Sequence, residues 1–239
     1  GAELARAAAA RSDVALVLIG RAAGEDDDSF NAPGGYLPTA EEVQMLCAVT
    51  AAFAKTVVLF DCGGVQDLSF LQPFGEKIAA VAFAFFGGME AGGALFDVLT
   101  GEVSPCGKLA DTVAAAYTDC PSAQHFGGKA YSEYAEDIFV GYRYFETFAK
   151  KKVLYPFGFG LSYTAFSLDV CAFSAHGDAF EAEVHVKNIG GRAGKEVVQL
   201  YCAPPQGALG KPARVLVAFA KTRELAAGEE EVLLLRFRA

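Results

Sequence analysis

Short apolar runs in the first half of the chain alternate with patterns typical of helices. The runs Val14–Gly20 (VALVLIG) and Thr56–Phe60 (TVVLF) are rich in β-branched residues, as are strands buried on both faces. The run Ile78–Phe86 (IAAVAFAFF) predicts a third strand. Because strands and helices alternate, we predict an α/β domain with a mostly parallel sheet sandwiched by helices.

Two helices are predicted between and after these strands. Thr39 and Glu42 have the T-x-x-E spacing of a capping box, which marks the start of a helix. The apolar residues that follow fall mostly on one helical face, namely Val43, Leu46, Cys47, Val49 and Phe53. The segment Met89–Gly101 (MEAGGALFDVLTG) predicts the second helix, and Gly101 is its predicted C-terminal end.

The second half of the chain changes to an alternation with a period of two. Glycine-rich turns separate four such segments, which are Phe180–Asn188, Glu196–Ala203, Ala213–Lys221 and Glu230–Phe237. Short strands at regular spacing predict an antiparallel β-sandwich. We therefore predict two domains, with the α/β domain over residues 1–162 and the sandwich over residues 163–239. We expect the sandwich to be incomplete.

Composition narrows the classes of function. The chain of 239 residues is 53% hydrophobic and 21% charged, which supplies enough apolar material for a folded core. Its net charge of −9 argues against nucleic-acid binding, because phosphate contacts need clustered lysine and arginine. No apolar stretch reaches the roughly 18 to 20 residues of a membrane span, so no membrane partner is predicted.

The six cysteines are scattered along the chain without a C-x-x-C pair. We therefore expect no zinc site and interpret the cysteines as buried free thiols, which indicates a reducing compartment. The opening residues lack the regions of a signal peptide. These features favour the cytoplasm, but the compartment stays open. The opening residues look like the back of a helix, which indicates that the chain begins partway through a longer polypeptide.

Acidic residues follow all three predicted strands. In an open parallel sheet, ligands bind beyond the carboxyl ends of the strands, and the three loops at that edge carry Glu25, Asp61 and Glu90. The run Asp26–Asp28 lacks the spacing of a calcium loop, so we interpret it as a solvated acidic segment without a metal. No dinucleotide, Walker A or nucleophile-elbow motif is present, so neither a cofactor nor a serine hydrolase triad is predicted.

Five segments carry a resemblance to a known family. They are Glu136–Thr147 (EDIFVGYRYFET), Tyr155–Phe166 (YPFGFGLSYTAF), Gly101–Thr112 (GEVSPCGKLADT), Asn188–Tyr201 and Lys211–Glu229. Together they resemble the C-terminal part of the family 3 glycoside hydrolases, the β-glucosidase group. The last two are similar to the fibronectin-III-like domain of that family, which identifies the predicted sandwich.

The resemblance implies a retaining, exo-acting hydrolase of terminal β-linked sugars that needs no cofactor. In this family an N-terminal barrel domain carries the aspartate nucleophile and most sugar contacts. The α/β domain lends the general acid/base glutamate from a stretch commonly written S-G-E-G-x-D-R. The matching stretch Ala23–Ser29 implies that Glu25 is the acid/base. The implied partners are a β-linked oligosaccharide or glucoside and the barrel of the same enzyme, without which this chain is expected to be inactive.

This reading also explains the long acidic loop after the first strand, because the loop has to leave its own domain and reach a sugar held by another. The Asp26–Asp28 run is expected to raise the pKa of Glu25 through like-charge repulsion. Which sugar is bound and which residues bind it stay open.

The stretch also departs from the family pattern. Asp26 replaces a glycine and Ser29 replaces an arginine, while Phe70 and Phe85 stand where relatives often carry tryptophan. These departures indicate a divergent active site. Two alternatives therefore stay open: a non-catalytic carbohydrate-binding or assembly module with a solvated Glu25, and an autonomous enzyme that combines Glu25 with Asp61 or Glu90.

Overall fold

The computed structural model describes residues 1–22, 30–126, 130–131 and 133–238. Its contacts divide the chain into two compact units. The first unit consists of Gly1–Leu95 and Val113–Cys120, and the second consists of Phe96–Thr112 and Pro121–Ala239. The boundary predicted between residues 162 and 163 stays a prediction.

The first unit contains the parallel sheet that the apolar runs predict. Its elements are α1 (Ala2–Ala9), β1 (Val14–Gly20), α2 (Ala40–Ala52), β2 (Lys55–Asp61), β3 (Ile78–Phe83) and β4 (Val113–Ala114). The helix α3 (Ala91–Thr100) follows β3. The strands β1, β2 and β3 pair in that order, and both pairs are parallel. The predicted parallel α/β arrangement is therefore confirmed.

The third strand is shorter than predicted. It ends at Phe83, whereas the apolar run continues to Phe86. The backbone of Phe85 has a φ of 50°, which lies in the left-handed region and is incompatible with an extended strand. Apolar character alone does not report this change of direction.

Helix α2 begins at the predicted capping box. The Thr39 hydroxyl accepts a hydrogen bond from the Glu42 N–H, and the Glu42 carboxylate accepts one from the Thr39 N–H. The buried face includes Leu46, Thr50 and Phe53. Cys47 is exposed, so its predicted place on the apolar face is wrong.

The predicted burial of the cysteines holds for one of them and fails for two. Cys62 is buried, Cys171 is exposed like Cys47, and the remaining three are half-buried. Cys47 lies where the pattern of neighbouring apolar residues suggested a buried face, whereas Cys171 lies in β6, for which no strand was predicted. All six cysteines lie within the described residues, and none of them forms a disulfide bond.

The second unit contains the antiparallel strands. Its further elements are α4 (Tyr142–Phe148), β5 (Val153–Tyr155), β6 (Phe166–His176), β7 (Ala179–Asn188), β8 (Val197–Cys202), β9 (Val215–Lys221) and β10 (Glu230–Arg238). One sheet has the order β10-β7-β6, and the other pairs β8 with β9. All of these pairs are antiparallel, which confirms the predicted sandwich class. The four predicted strands are present as β7 to β10, whereas β6 and α4 were not predicted.

Valine and leucine side chains form the core of the second unit. The buried cluster consists of Val184, Val186, Val198, Leu225, Leu233 and Leu235. Leu168 and Val170 of β6 pair with Val186 and Val184, so they face the same side of the sheet. They are nevertheless 48% and 68% exposed, so the described residues leave the β6 end of this core open.

Candidate functional site

The carboxyl ends of the three parallel strands lie at one edge of the first unit. Gly20, the last residue of β1, pairs with Asp61, the last residue of β2. The next residue, Arg21, extends this ladder by donating its backbone N–H to the Asp61 carbonyl at 3.0 Å. The loops that follow the strands therefore start side by side, as expected for a binding edge of an open sheet.

The structure describes Asp61 and Glu90 but not the predicted acidic residues of the first loop. Glu25 and the run Asp26–Asp28 lie outside the described residues. Asp61 is exposed beside the start of the first loop, and Glu90 is exposed just before α3. Two of the three predicted carboxylates are therefore placed on loops at this edge.

The far end of the first loop is a hydrogen-bonded turn. The Phe30 carbonyl accepts hydrogen bonds from the N–H groups of Ala32 and Tyr36, each at 2.9 Å. Gly35 is buried in this turn, and a Cβ atom there would collide with the Phe30 carbonyl oxygen. Only glycine can therefore occupy this position without moving the backbone.

A tyrosine attaches this turn to the second loop. The Tyr36 carbonyl accepts a hydrogen bond from the N–H of Asp67 at 3.1 Å. The Tyr36 ring packs against Tyr117 with 5.6 Å between ring centroids. Burial raises the pKa of Tyr36, so its hydroxyl stays neutral. The turn is therefore attached to the rest of the unit as well as to β1.

Arg21 joins the two ends of the first loop to helix α2. Its guanidinium lies 2.6 and 2.8 Å from the two carboxylate oxygens of Glu42. The same group donates to the carbonyls of Gly35 at 2.8 Å, Leu37 at 3.4 Å and Gly20 at 2.9 Å. The guanidinium fork matches a carboxylate with two parallel bonds, which makes this a strong ion pair.

The partner of Arg21 is held in its ionised form. Burial raises the pKa of Glu42, but hydrogen bonds from Arg21 and from the Thr39 N–H outweigh burial. The net pKa therefore lies below the ordinary value. Both side chains are largely buried, with 10% of Arg21 and 18% of Glu42 exposed.

The second loop begins with a buried thiol. Cys62 follows Asp61 directly and donates its S–H to the Gly64 carbonyl at 3.1 Å. Burial raises the pKa of Cys62, which favours the neutral thiol over the nucleophilic thiolate. Gly63 lies so close to the third loop that a Cβ atom would stand 2.7 Å from the Phe86 ring.

Aromatic rings extend from the sheet to its edge along the third strand. The rings of Phe60 and Phe83 stack at 5.1 Å, and those of Phe83 and Phe85 stack at 5.6 Å. Phe85 is 38% exposed and Phe86 is 56% exposed. These two rings offer an apolar surface beside the acidic loops.

Two of the histidines contact carboxylates within the second unit. His125 lies 2.8 Å from Glu133 in the second unit, and His185 lies 3.3 Å from Glu230. No group of three or more metal-ligating side chains is assembled within the described ranges. Within the same ranges, no helix has the length and apolar character needed to span a membrane.

Two family profiles match the chain. Residues 1–163 match the glycosyl hydrolase family 3 C-terminal domain. The chain belongs to glycosyl hydrolase family 3. Residues 196–239 match the fibronectin type III-like domain. The family membership predicted from the five segments is therefore confirmed.

The relatives of this family 3 chain are β-glucosidases. A β-glucosidase of Ruminococcus albus is 48% identical over 234 residues, which cover 96% of this chain and 24% of that protein. The crystal structure of a β-glucosidase from Paenibacillus barengoltzii matches with a TM-score of 0.96 at 46% identity, covering 100% of this chain and 26% of that one. β-Glucosidase 3B from Thermotoga neapolitana, solved in complex with α-D-glucose, matches with a TM-score of 0.93 at 34% identity, covering 100% of this chain and 34% of that one. The family 3 chain thus spans about a quarter to a third of these relatives.

Sequence reasoning missed Arg21 as a residue of this site. An arginine directly after an apolar strand, followed by a glutamate at the third position of the next helix, was the available signal. The capping box explains Glu42 on its own, so nothing in the pattern required a second partner.

Proposed function

We propose that this family 3 chain is the part of a retaining, exo-acting glycoside hydrolase that supplies the general acid/base. Glu25 is the proposed proton donor, and the proposed substrates are β-glucosides or other terminal β-linked sugars. A barrel domain of the same enzyme supplies the nucleophile and most of the sugar contacts. The chain alone is therefore expected to be inactive.

The observation that carries this proposal is the similarity to β-glucosidases along almost the whole chain, with 48% identity to the Ruminococcus albus protein. Two further observations support it. Glu25 stands at the glutamate of the stretch that resembles S-G-E-G-x-D-R. The loop to which it belongs starts at the carboxyl edge of a parallel sheet, where ligands of such sheets bind.

The proposed reaction has two steps. Glu25 gives its proton to the glycosidic oxygen as the bond to the anomeric carbon breaks and the barrel carboxylate bonds to that carbon. Ionised Glu25 then takes a proton from water, whose oxygen attacks the same carbon and releases the sugar and the barrel carboxylate. The two carboxyl groups must stand about 5 to 5.5 Å apart for this route.

The test is a chimaeric enzyme in which this chain replaces the matching segment of the Paenibacillus barengoltzii β-glucosidase. We expect Glu25→Ala to lower kcat/KM for phenyl β-glucoside on the order of 100-fold or more, because general acid catalysis contributes that much. For 2,4-dinitrophenyl β-glucoside we expect only a small loss in kcat/KM, since this leaving group needs little protonation. When azide is added to Glu25→Ala, we expect it to replace water and to yield β-glucosyl azide, because the attack of azide needs no general base.

Asp61→Asn and Glu90→Gln are the matched controls, since both carboxylates are exposed at the same edge. We expect both to retain activity. A large loss in either, with no loss in Glu25→Ala, favours an enzyme that uses those carboxylates instead. A chimaera that melts normally but turns over no substrate contradicts the proposal and favours a non-catalytic module.

A further inference from the structure

One guanidinium contacts both described ends of the first loop. Residues 22–29 separate Arg21 from the turn that begins at Phe30. Arg21 nevertheless donates to the carbonyls of Gly35 and Leu37 within that turn, at 2.8 and 3.4 Å. The side chain therefore closes the loop across its base.

Each end is also attached to the rest of the unit. On one side, the backbone of Arg21 continues the β1–β2 ladder through the Asp61 carbonyl at 3.0 Å. On the other side, the Tyr36 carbonyl accepts a hydrogen bond from the Asp67 N–H at 3.1 Å, and the Tyr36 ring packs against Tyr117. The guanidinium thus connects two parts of the backbone that are each fixed independently.

The Glu42 carboxylate keeps this guanidinium in one orientation. It binds Arg21 through both oxygens, at 2.6 and 2.8 Å, and also accepts the Thr39 N–H at 2.7 Å. Glu42 belongs to the first turn of α2, so the ion pair is rigid at both partners. A charge that is paired and hydrogen-bonded in this way avoids the cost of an isolated buried charge.

We propose that Arg21 is a positioning residue for the glycosidase reaction, because it fixes both ends of the loop that carries Glu25. This inference rests on the proposed function and adds to it the residue that holds the acid/base loop. The arrangement uses the planar fork of arginine, which donates in several fixed directions at once. Lysine offers one compact ammonium and cannot reproduce this pattern.

The test uses the same chimaera with Arg21→Gln, Arg21→Lys and a series of aryl β-glucosides whose leaving groups differ in pKa. A misplaced acid impairs bond cleavage mostly where the leaving group needs a proton. We expect Arg21→Gln to lower kcat/KM for phenyl β-glucoside on the order of 100-fold, as misplacement by about 1 Å does in other enzymes. For 2,4-dinitrophenyl β-glucoside we expect less than about a threefold loss in kcat/KM, because kcat/KM reports bond cleavage and general acid catalysis contributes little to that step with this leaving group.

Two variants separate positioning from general stability. Glu42→Gln keeps the shape of the partner but removes its charge, so we expect a smaller loss with the same dependence on the leaving group. Arg223→Gln removes another arginine that is paired with a glutamate, Glu229 at 2.9 Å, in an exposed part of the second unit. We expect this control to leave the whole substrate series unchanged.

The outcomes distinguish the two proposals. If kcat/KM of Arg21→Gln and of Arg21→Lys falls by the same factor with every aryl β-glucoside, Arg21 is merely structural and the inference is wrong. If Arg21→Gln does not fold, the dependence measured for Arg21→Lys and Glu42→Gln decides. If Glu25→Ala itself shows no dependence on the leaving group, the proposed function is wrong, whatever the Arg21 variants do.

Discussion

Asn188 provides the sharpest test of how the second unit is held together. It is the last residue of β7, it is completely buried, and its side chain makes four hydrogen bonds. Its oxygen accepts from the Thr164 hydroxyl at 2.7 Å and the Gly190 N–H at 3.0 Å. Its nitrogen donates to the carbonyls of Arg192 at 2.7 Å and Leu225 at 2.8 Å. One amide therefore joins β7 to three loop segments.

The cost of Asn188→Ala follows from what happens to these four partners. The bond to the Leu225 carbonyl is buried, and its loss costs about 1 kcal/mol, because this carbonyl keeps its second hydrogen bond, from the Gly194 N–H at 3.1 Å. The bonds to Thr164, Gly190 and Arg192 are only partly buried, so water replaces part of each at about 0.5 kcal/mol per bond. We expect the free energy of unfolding to fall by about 2 to 3 kcal/mol.

Urea unfolding followed by circular dichroism and by tyrosine emission measures this loss, since the chain has no tryptophan. The matched control is Gln206→Ala, whose amide donates to the Pro204 carbonyl at 3.2 Å on an exposed loop. We expect this control to change the unfolding free energy by less than about 0.5 kcal/mol. An Asn188→Ala variant within about 1 kcal/mol of the parent chain refutes the reasoning, because it means that the loops do not depend on this amide.

Two further predictions concern a close contact and an ion pair. Gly158 has a φ of 82°, and a Cβ atom there would collide with the Gln199 amide oxygen, whereas Gly177 has a φ of 64° and open space around it. In thermal melts we expect Gly177→Ala to lower the stability of the fold by about 1 kcal/mol and Gly158→Ala to lower it at least twice as much. Equal losses would show that the contact with Gln199 is unimportant. The pKa of Glu42 is lowered in the folded chain, so its contribution is present above the ordinary value of 4.5 and is lost as the pH falls through the lower folded value. Melting temperatures measured from pH 7 to pH 3 should therefore fall less in Glu42→Gln than in the parent chain, and parallel curves would contradict this.

Local patterns predicted those parts of the fold that depend on nearest neighbours. The T-x-x-E start of α2 corresponds to an observed helix start because capping is decided within a few residues. The apolar run of β1 corresponds to an observed strand, but the expectation of burial on both faces is wrong, since Leu16 and Leu18 are 53% and 58% exposed in the structure. Helix α4 was missed, since its sequence YRYFETF has no clear polar face and its N-cap is Gly141, with a φ of 56° and no side chain that could cap the helix. Strand β6 was missed, and its register shifts between Val170 and Ala172, which interrupts a period of two.

The candidate site also contains residues that the sequence indicates and one that it does not. Family resemblance indicates Glu25, and the order of strands and loops predicts that Asp61 and Glu90 share an edge. The role of Arg21 depends on partners 14 to 21 residues away, so neither helical nor strand periodicity reports it. Such contacts become visible only when the backbone of the whole turn is known.

The turn also changes the explanation for the length of the first loop. The sequence suggested that the loop is long because it reaches out of its own domain. The structure assigns the residues from Phe30 to Leu37 to a turn closed by the Phe30 carbonyl and held by Arg21. Under the proposed function, this part of the loop serves as an anchor for the stretch that contains Glu25. A loop that must place one proton donor accurately needs fixed ends more than it needs length, because misplacement of the donor lowers the rate.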